Sequence, residues 1–139
     1  MRRVLDYVID VEGALKSKEI SYIHSEAFAS GELKHGTIAL IDDGIPVVIN
    51  VTQSDLFEKS VSNIKEVAAR GAYVIAIAKD GNTLVEEVAD EVFYIPAVED
   101  DYTGFLTIII HQLLAYYLAK LKGNDVDKPR NLAKSVTVE

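Results

Sequence analysis

The sequence predicts an α/β protein, a three-layer αβα sandwich built on a parallel sheet. Three short runs of β-branched and other apolar residues suit strands that are buried on both faces. These runs alternate with segments of helical periodicity, which is typical of a parallel sheet covered by its crossover helices. The chain has 139 residues, of which 49% are hydrophobic and 26% charged. Its length and composition indicate one folded domain.

A long helix is predicted at the start of the chain, from Tyr7 to about Ala29. Apolar side chains recur there at helical spacing, namely Val8, Val11, Leu15 and Tyr22. No proline or other strong breaker occurs before Gly31. Gly31 and Gly36 then indicate a loop of irregular structure.

The first strand and the second helix follow this loop. The run PVVINV at 46–51 predicts a buried strand. A helix is expected from about Asp55, with Ser54 as its N-cap and Gly71 as a left-handed stop. The predicted core face of this helix consists of Phe57, Val61, Ile64 and Ala68.

The second half of the chain repeats the pattern. It is predicted to contain a strand at 73–78, a turn at 80–82, a short helix at 83–89 and a strand at 91–95. A long helix at 102–122 is apolar nearly all round in its middle, which favours a buried packing helix. Residues 124–139 are expected to be irregular. Three strands are few for a doubly wound sheet, so a first strand is predicted to be missing.

Composition and charge exclude several classes of function. There is no cysteine, which excludes disulfide scaffolds, thiolate catalysis and cysteine-ligated metal sites. The net charge of −8 makes nucleic acid and anionic membrane surfaces poor partners. The longest apolar stretch, Phe105–Leu121, is shorter than the roughly 20 residues of a membrane span. No signal peptide is visible, and a cytoplasmic location is expected. Three histidines without repeated spacing predict no metal site.

The cations lie near the two ends of the chain. Five of the fourteen occur in the first 35 residues and five in the last 20, while none occurs from Asp80 to Ala119. If the two ends meet in space, this acidic protein holds a local cationic site for a small anion. The alternative is that these cations only solubilise the termini.

One predicted helix face carries two carboxylates and an ammonium. Glu12, Lys16 and Glu19 are spaced i, i+4 and i+7, so all three lie on one side of the helix. They form either a solvated ion-pair ladder, worth about 0.2–0.5 kcal/mol per pair, or a catalytic base beside a cation. Proton abstraction next to a carbonyl needs such a base, and a lysine stabilises the oxyanion that develops.

Two loops contain further candidates. His35 lies in a glycine-bounded loop with a glutamate and a lysine, as either a surface residue or a catalyst. Thr52, Gln53 and Ser54 join the first strand to the next helix, where hydroxyls and backbone N–H groups suit a phosphate. Helix capping explains Ser54 equally well.

Several segments together resemble one family. They are EGALK at 12–16, KEISYIH at 18–24, GELKHG at 31–36, QLLAY at 112–116 and DVDKPRNLAKSVTVE at 125–139. They resemble the C-terminal sugar-isomerase (SIS) half-domain of the glutamine–fructose-6-phosphate aminotransferases, also called glucosamine-6-phosphate synthases. The resemblance covers nearly the whole chain, and the last fifteen residues are its most specific part.

The resemblance implies a flavodoxin-like fold and a role in amino-sugar biosynthesis. Enzymes of this family combine a glutaminase domain with two SIS domains. They convert fructose 6-phosphate and glutamine to glucosamine 6-phosphate and glutamate, the entry to UDP-N-acetylglucosamine. The whole chain, 1–139, then corresponds to a single SIS domain, whose tail at 124–139 folds into the sugar site.

The resemblance also implies roles for particular residues. Glu19 is similar to the base that moves a proton between C1 and C2 of the sugar, and Lys16 to the lysine that supports the enolate. His35 corresponds to the histidine of ring opening, which reaches the site from the neighbouring subunit, so a homodimer is expected. Lys134 is similar to the tail lysine that contacts the sugar, and Ala133 to a substrate-binding neighbour.

The expected ligand is a phosphosugar: fructose 6-phosphate, glucosamine 6-phosphate or glucose 6-phosphate. No cofactor is expected.

The family's glutaminase and first SIS domains are not in this sequence, so a separate chain carrying either one is a further partner to consider. The family's Gly-Arg-Gly turn corresponds to Arg2-Arg3-Val4 here. Second SIS domains do not normally bind substrate through the segment at 52–54, which makes it a secondary candidate. The alternative function is a truncated, non-catalytic module that binds phosphosugar or mediates dimerisation.

Overall fold

Three parallel strands form an open sheet at the centre of the protein. The computed structural model describes residues 5–130, apart from the side chains of Lys34 and His35. The strands are β1 (Pro46–Val51), β2 (Tyr73–Lys79) and β3 (Glu91–Ile95), in the order β1-β2-β3. Both neighbouring pairs are parallel. The predicted α/β class and parallel sheet are confirmed, and the strands begin at the predicted residues.

Helices cover both faces of this sheet. Helix α2 (Phe57–Ala68) packs on one face, where its Ile64 and Val67 share a buried core with Ile49 and Val51 of β1. Alternate residues of a strand point to opposite faces. The even-numbered residues of β1 therefore face the other layer, which consists of α1 (Leu5–Lys16) and α3 (Thr103–Leu121). Three layers result, as predicted.

The first helix is shorter than predicted. Helix α1 ends at Lys16 and continues as a π-helical turn, Ser17–Ser21, after which Tyr22 adopts a left-handed conformation with φ of 57°. The prediction of a helix to Ala29 is therefore wrong, because a residue with positive φ cannot continue a right-handed helix. The chain continues without helix to Ala29 and then forms two 3₁₀ turns, Ser30–His35 and Thr37–Leu40.

The predicted stop of α2 is confirmed, but the predicted cap is wrong. Gly71 has φ of 89°, and a Cβ there would lie 2.9 Å from the Asp43 Cα atom, so only glycine suits the position. Ser54 begins a 3₁₀ turn without a capping hydrogen bond. Its hydroxyl donates to Asp100 instead. The predicted short helix at 83–89 is also a 3₁₀ turn, Thr83–Glu87.

The prediction that α3 is a buried packing helix is wrong for one of its faces. Thr103, Thr107, His111, Ala115 and Ala119 are buried and follow one line along the helix. The opposite side is exposed, with Phe105 at 73% and Ile109 at 50%. Among the described residues, the segment Asp100–Leu121 has the length and apolarity of a membrane span. That is weak support for one, since core helices of soluble proteins share these properties.

Helix α1 closely approaches α3 at Gly13. A Cβ at this position would lie 2.4 Å from Nδ1 and 2.7 Å from Cγ of His111. His111 is 5% exposed, so its ring has little space into which to move. We therefore expect Gly13→Ala to lower the free energy of unfolding by about 1–3 kcal/mol through overpacking. Gly→Ala in an ordinary helix interior raises the free energy of unfolding by about 1 kcal/mol. The sign of the change in this free energy therefore tests the contact between Gly13 and His111.

Urea denaturation of the wild type and the variant measures this difference. Gly31→Ala is the matched control, because a Cβ at Gly31 meets no atom within 4 Å. It is expected to change stability by less than about 0.5 kcal/mol. A stabilised Gly13→Ala variant would contradict the described packing of α1 on α3.

Candidate active site

The predicted carboxylate–ammonium cluster is present at the end of α1. The Lys16 Nζ atom lies 3.0 Å from Oε2 of Glu19 and 3.2 Å from Oε1 of Glu12. Hydrogen bonds with Glu19 and Glu12 raise the pKa of Lys16 above its ordinary value. Because about a third of each side chain is exposed, the cluster is open to solvent and to a ligand. It combines a carboxylate base with a cation that stays protonated.

The π-helical turn places Glu19 beside Lys16. Such turns are rare and often occur at functional sites. The Ser21 hydroxyl donates a 2.6 Å hydrogen bond to the Ser17 carbonyl, and Ser21 is fully buried. The left-handed Tyr22 then closes the turn, with its N–H directed at the Lys18 carbonyl. The position of Glu19 therefore depends on this turn and not on a regular helix.

The segment after α3 returns to this turn. The Asn124 side-chain amide donates to the carbonyls of Ile20 and Ser21, at 3.1 and 3.3 Å. The Arg130 backbone N–H donates to the Tyr22 hydroxyl at 2.9 Å, and the Arg130 guanidinium lies 3.7 Å from the centre of the Tyr22 ring. The C-terminal end of the described chain therefore contacts the turn that carries Glu19, and Arg130, one cation of the C-terminal group, lies there.

The predicted site residues fall into three groups. Lys16 and Glu19 are in contact. The segment at 52–54 lies at the carboxyl end of β1, next to the start of α1, because Thr52 contacts Asp6. From Asp6 to Lys16 is ten helical residues, or about 15 Å, so the two candidate groups are at opposite ends of α1. The His35 side chain, Ala133 and Lys134 lie outside the described residues.

Thr52 and Gln53 belong to a buried hydrogen-bond network. The Thr52 hydroxyl donates to Oδ1 of Asp6 at 2.5 Å, and the Thr52 N–H donates to Oδ2. The Gln53 amide nitrogen donates to the Thr103 hydroxyl at 3.0 Å. Burial raises the pKa of Asp6, and its hydrogen bonds with Thr52 oppose this only in part. These side chains connect α1, β1 and α3.

The donors of Ser54 are directed at the Asp100 carboxylate. The Ser54 N–H and hydroxyl each lie 2.9 Å from an Asp100 oxygen, and Lys79 Nζ lies 2.6 Å from Oδ1. Burial raises the pKa of Asp100, but the bonds from Lys79 and Ser54 together outweigh burial and lower it. A cleft of about 470 Å³ opens beside this cluster, lined in part by Asn82. The Ser54 N–H and hydroxyl, which were predicted to suit a phosphate, thus donate their hydrogen bonds to the Asp100 carboxylate of the same chain.

A second buried polar cluster was not predicted from the sequence. The Asn50 amide nitrogen donates to Oδ1 of Asp10 at 2.9 Å, and its oxygen lies 3.3 Å from Nε2 of His111. An amide oxygen only accepts, so His111 is protonated on Nε2. Burial raises the pKa of Asp10 well above its ordinary value and lowers that of His111 to about 4. The one sequence signal is the spacing of Asp6 and Asp10, four residues apart on a largely apolar helix.

The described residues do not form a metal site, since no group of three or more His, Asp or Glu side chains is placed to hold an ion. What they form is an open, parallel α/β domain with a carboxylate–ammonium pair, about a third exposed, at a π-helical turn. A carboxylate beside an ammonium has the chemistry that proton transfer next to an oxyanion needs.

The chain belongs to the SIS domain family, which matches residues 5–122. It is 62% identical over 137 residues to a glutamine–fructose-6-phosphate aminotransferase of Caldanaerobacter subterraneus. The match covers 99% of this chain and 22% of the relative, so the chain corresponds to about a fifth of that enzyme's length. The matching part is the C-terminal region of that enzyme. This finding confirms the resemblance seen in the sequence.

Solved structures agree with this assignment. The C-terminal domain of the aminotransferase from Francisella tularensis has a TM-score of 0.78 and 44% identity, over 86% of this chain and 34% of that one. A glucosamine-6-phosphate deaminase from Thermotoga maritima has a TM-score of 0.76 and 30% identity, over 95% of this chain and 37% of that one. The fold is therefore that of SIS domains from enzymes named for phosphosugars.

Proposed function

We propose that this SIS domain binds a phosphosugar and interconverts its ketose and aldose forms. The observation that carries the proposal is the contact between Lys16 and Glu19, which the π-helical turn holds at the surface. The 62% identity to an isomerising aminotransferase supports fructose 6-phosphate as the substrate. Amino-sugar biosynthesis is then the pathway in which the domain acts.

The proposed reaction needs one base and one cation. The Glu19 carboxylate takes a proton from C1 of open-chain fructose 6-phosphate. The C–H electron pair forms the C1–C2 double bond, and the C2 carbonyl oxygen becomes an oxyanion beside the Lys16 ammonium. The O1 hydroxyl proton passes to the C2 oxyanion, the C1 oxygen becomes a carbonyl, and the electron pair of the C1–C2 double bond takes the proton from Glu19 at C2, which gives glucose 6-phosphate. No atom or electron is gained or lost in this isomerisation.

Three further residues complete the proposed site. His35 would open the sugar ring from the neighbouring subunit, and Lys134 and Ala133 would contact the sugar from the tail. The approach of Arg130 to Tyr22 supports this, because it brings the start of the tail to the turn that carries Glu19. Thr52, Gln53 and Ser54 remain a secondary phosphate candidate at the other end of α1.

The proposed setting is a cytoplasmic homodimer. Since the chain matches 22% of its relative, a glutaminase or first SIS domain would come from elsewhere, including a separate chain. No nucleic acid and no membrane is a proposed partner.

Proton exchange with solvent tests the proposed function. We expect the chain, incubated with fructose 6-phosphate in D₂O, to introduce deuterium at C1, because the proton on Glu19 exchanges with solvent before it returns. Proton NMR of the sugar measures this. Binding of the phosphosugar without exchange would favour the non-catalytic alternative. No binding at millimolar sugar with dimer present would contradict the proposed function and favour a module that only mediates dimerisation.

A further inference from the structure

The π-helical turn that carries Glu19 ends with two backbone carbonyls that need donors. Ile20 and Ser21 are its last residues, and the left-handed Tyr22 then takes the chain out of the helix. The residues that follow have no helical N–H to offer to these carbonyls, as at any helix end. Because Ser21 is fully buried, a carbonyl left without a donor there would be costly.

One side chain supplies both donors. The Asn124 amide nitrogen lies 3.1 Å from the Ile20 carbonyl oxygen and 3.3 Å from that of Ser21. This nitrogen carries two hydrogens, so it can donate to both carbonyls at once. The end of the π-helical turn is thus closed by a residue that is 104 positions from Ile20 in the sequence.

The C-terminal end of α3 holds Asn124 in this place. Gly123 adopts a left-handed conformation with φ of 74°. Its N–H donates to the Lys120 carbonyl, and the Asn124 N–H donates to the Ala119 carbonyl, both at 2.9 Å. These two bonds form a Schellman motif, which ends a helix in a defined geometry. Since Ala119 is fully buried, the motif is anchored in the protein interior and fixes where the Asn124 side chain begins.

The form of the turn determines the direction of the Glu19 side chain. In a π-helical turn each N–H bonds one residue farther back along the chain than in an α-helix. If residues 17–21 relaxed to α-helical bonding, their side chains would rotate about the helix axis relative to α1. The peptide that follows Glu19 belongs to Ile20, whose carbonyl Asn124 holds. Loss of the Asn124 amide would therefore displace the Glu19 carboxylate from its present position.

We propose that Asn124 is a positioning residue for Glu19: its side-chain amide keeps the π-helical turn in the form that holds the Glu19 carboxylate 3.0 Å from the Lys16 ammonium. This inference rests on the proposed function, in which Glu19 is the base. Asn124 acts through the backbone of Ile20 and Ser21 and not through the Glu19 side chain.

Steady-state kinetics of deuterium exchange tests this role. Asn124→Leu keeps the size of the side chain and has no donor. We expect it to lower kcat by about 10–100-fold, because a small misplacement of a catalytic group has an effect of this size. The KM for fructose 6-phosphate is expected to change by less than about threefold, since the loss lies in the transition state. Asn63→Leu is the matched control on α2, on the other face of the sheet, and is expected to leave both constants unchanged.

Lysine NMR gives a second readout, which does not depend on turnover. Hydrogen bonds with Glu19 and Glu12 raise the pKa of Lys16. We expect this pKa to fall toward its ordinary value in Asn124→Leu, because the Glu19 carboxylate moves away, and to stay raised in Asn63→Leu. Titration of the lysine ¹³Cε signals measures it, and a Lys16→Arg variant identifies the signal of Lys16. A residue that only stabilised the end of α3 would leave this pKa unchanged.

Either of two results would overturn the inference: a wild-type kcat in Asn124→Leu, or a Lys16 pKa that is the same in Asn124→Leu as in the wild type. Circular dichroism establishes that the variant is folded. If it is not, Asn124→Asp replaces it, since aspartate has the shape of asparagine without its donors, and the same loss of kcat is expected relative to Asn63→Asp. A wild-type chain without exchange at C1 would contradict the proposed function, and the Lys16 titration would then decide the role of Asn124 by itself.

Discussion

Glu19→Gln is expected to slow deuterium exchange at C1 of fructose 6-phosphate by about 10²–10⁴-fold. General base catalysis typically contributes a factor of this size, and an amide cannot accept the C1 proton. Glutamine has the same shape as glutamate, and its side-chain oxygen can still accept the hydrogen bond from Lys16. The variant therefore removes the base and keeps the contact that positions it.

Measuring both phosphosugar affinity and the rate of deuterium exchange separates the catalytic role of Glu19 from a structural one. Phosphosugar affinity, measured by isothermal titration, is expected to change much less than the exchange rate, because the loss lies in the transition state. Glu58→Gln is the control for charge, since Glu58 is an exposed carboxylate at the start of α2, on the other face of the sheet. Exchange by Glu19→Gln at the wild-type rate would show that another group is the base.

The features that the sequence predicted well are those that depend on residues close together in the chain. The run PVVINV is bounded by Pro46 and consists of β-branched and other apolar residues, and β1 occupies these same six positions. Gly71 ends the second helix because its left-handed backbone conformation is one that glycine adopts without strain. The spacing of Lys16 and Glu19 anticipated their contact, since residues three apart on a helix are neighbours.

The elements that were predicted wrongly depend on distant parts of the chain. Tyr22 ends the first helix although it is not a glycine, and its partner Arg130 is 108 residues away. Ser54 does not cap its helix because Asp100, 46 residues away, accepts both of its hydrogen bonds. The spacing of apolar residues within a short stretch of sequence contains no information about partners this far away along the chain.

Helix α3 shows a different limit of sequence patterns. A helix that is apolar all round has no polar face to mark its exposed side. The buried line of Thr107, His111 and Ala115 is smaller and more polar than the exposed apolar side opposite, so residue type alone would have placed the wrong side in the core. The packing of α1, with Gly13 against His111, determines which side is covered.

The shifted pKa values of Asp10 and His111 make the stability of the folded protein depend on pH in opposite directions. The pKa of His111 is about 4 in the folded protein, lowered by burial from its ordinary value of 6.5. The unfolded chain therefore takes up this proton first, and stability falls as pH falls from 6.5 to 4. At 1.36 kcal/mol for each unit of pKa difference, this loss is about 3 kcal/mol.

The contribution of Asp10 has the other sign. Burial and the nearby charge of Asp6 raise the pKa of Asp10 well above 3.8. The folded protein keeps a proton that the unfolded chain releases, so stability falls as pH rises from the unfolded pKa toward the raised one. The two effects therefore oppose each other in the wild type.

Single substitutions are expected to reveal each effect separately. Asp10→Asn should lose about 2–3 kcal/mol of stability between pH 6.5 and 4.5, because only the His111 effect remains. His111→Gln should instead become less stable as pH rises over the same range. His24→Gln is the control, since the His24 side chain is 82% exposed.

Urea denaturation of the four proteins at pH 4.5, 5.5 and 6.5 measures these slopes. The shifted pKa of Asp100, which lies outside this cluster, contributes equally to all four proteins and is removed by subtraction. Slopes of opposite sign in Asp10→Asn and His111→Gln, with the wild type between them, are the result expected if folding raises the pKa of Asp10 and lowers that of His111. Identical slopes in all four proteins would mean that Asp10 and His111 have the same pKa values folded and unfolded, which is incompatible with their burial between α1, β1 and α3.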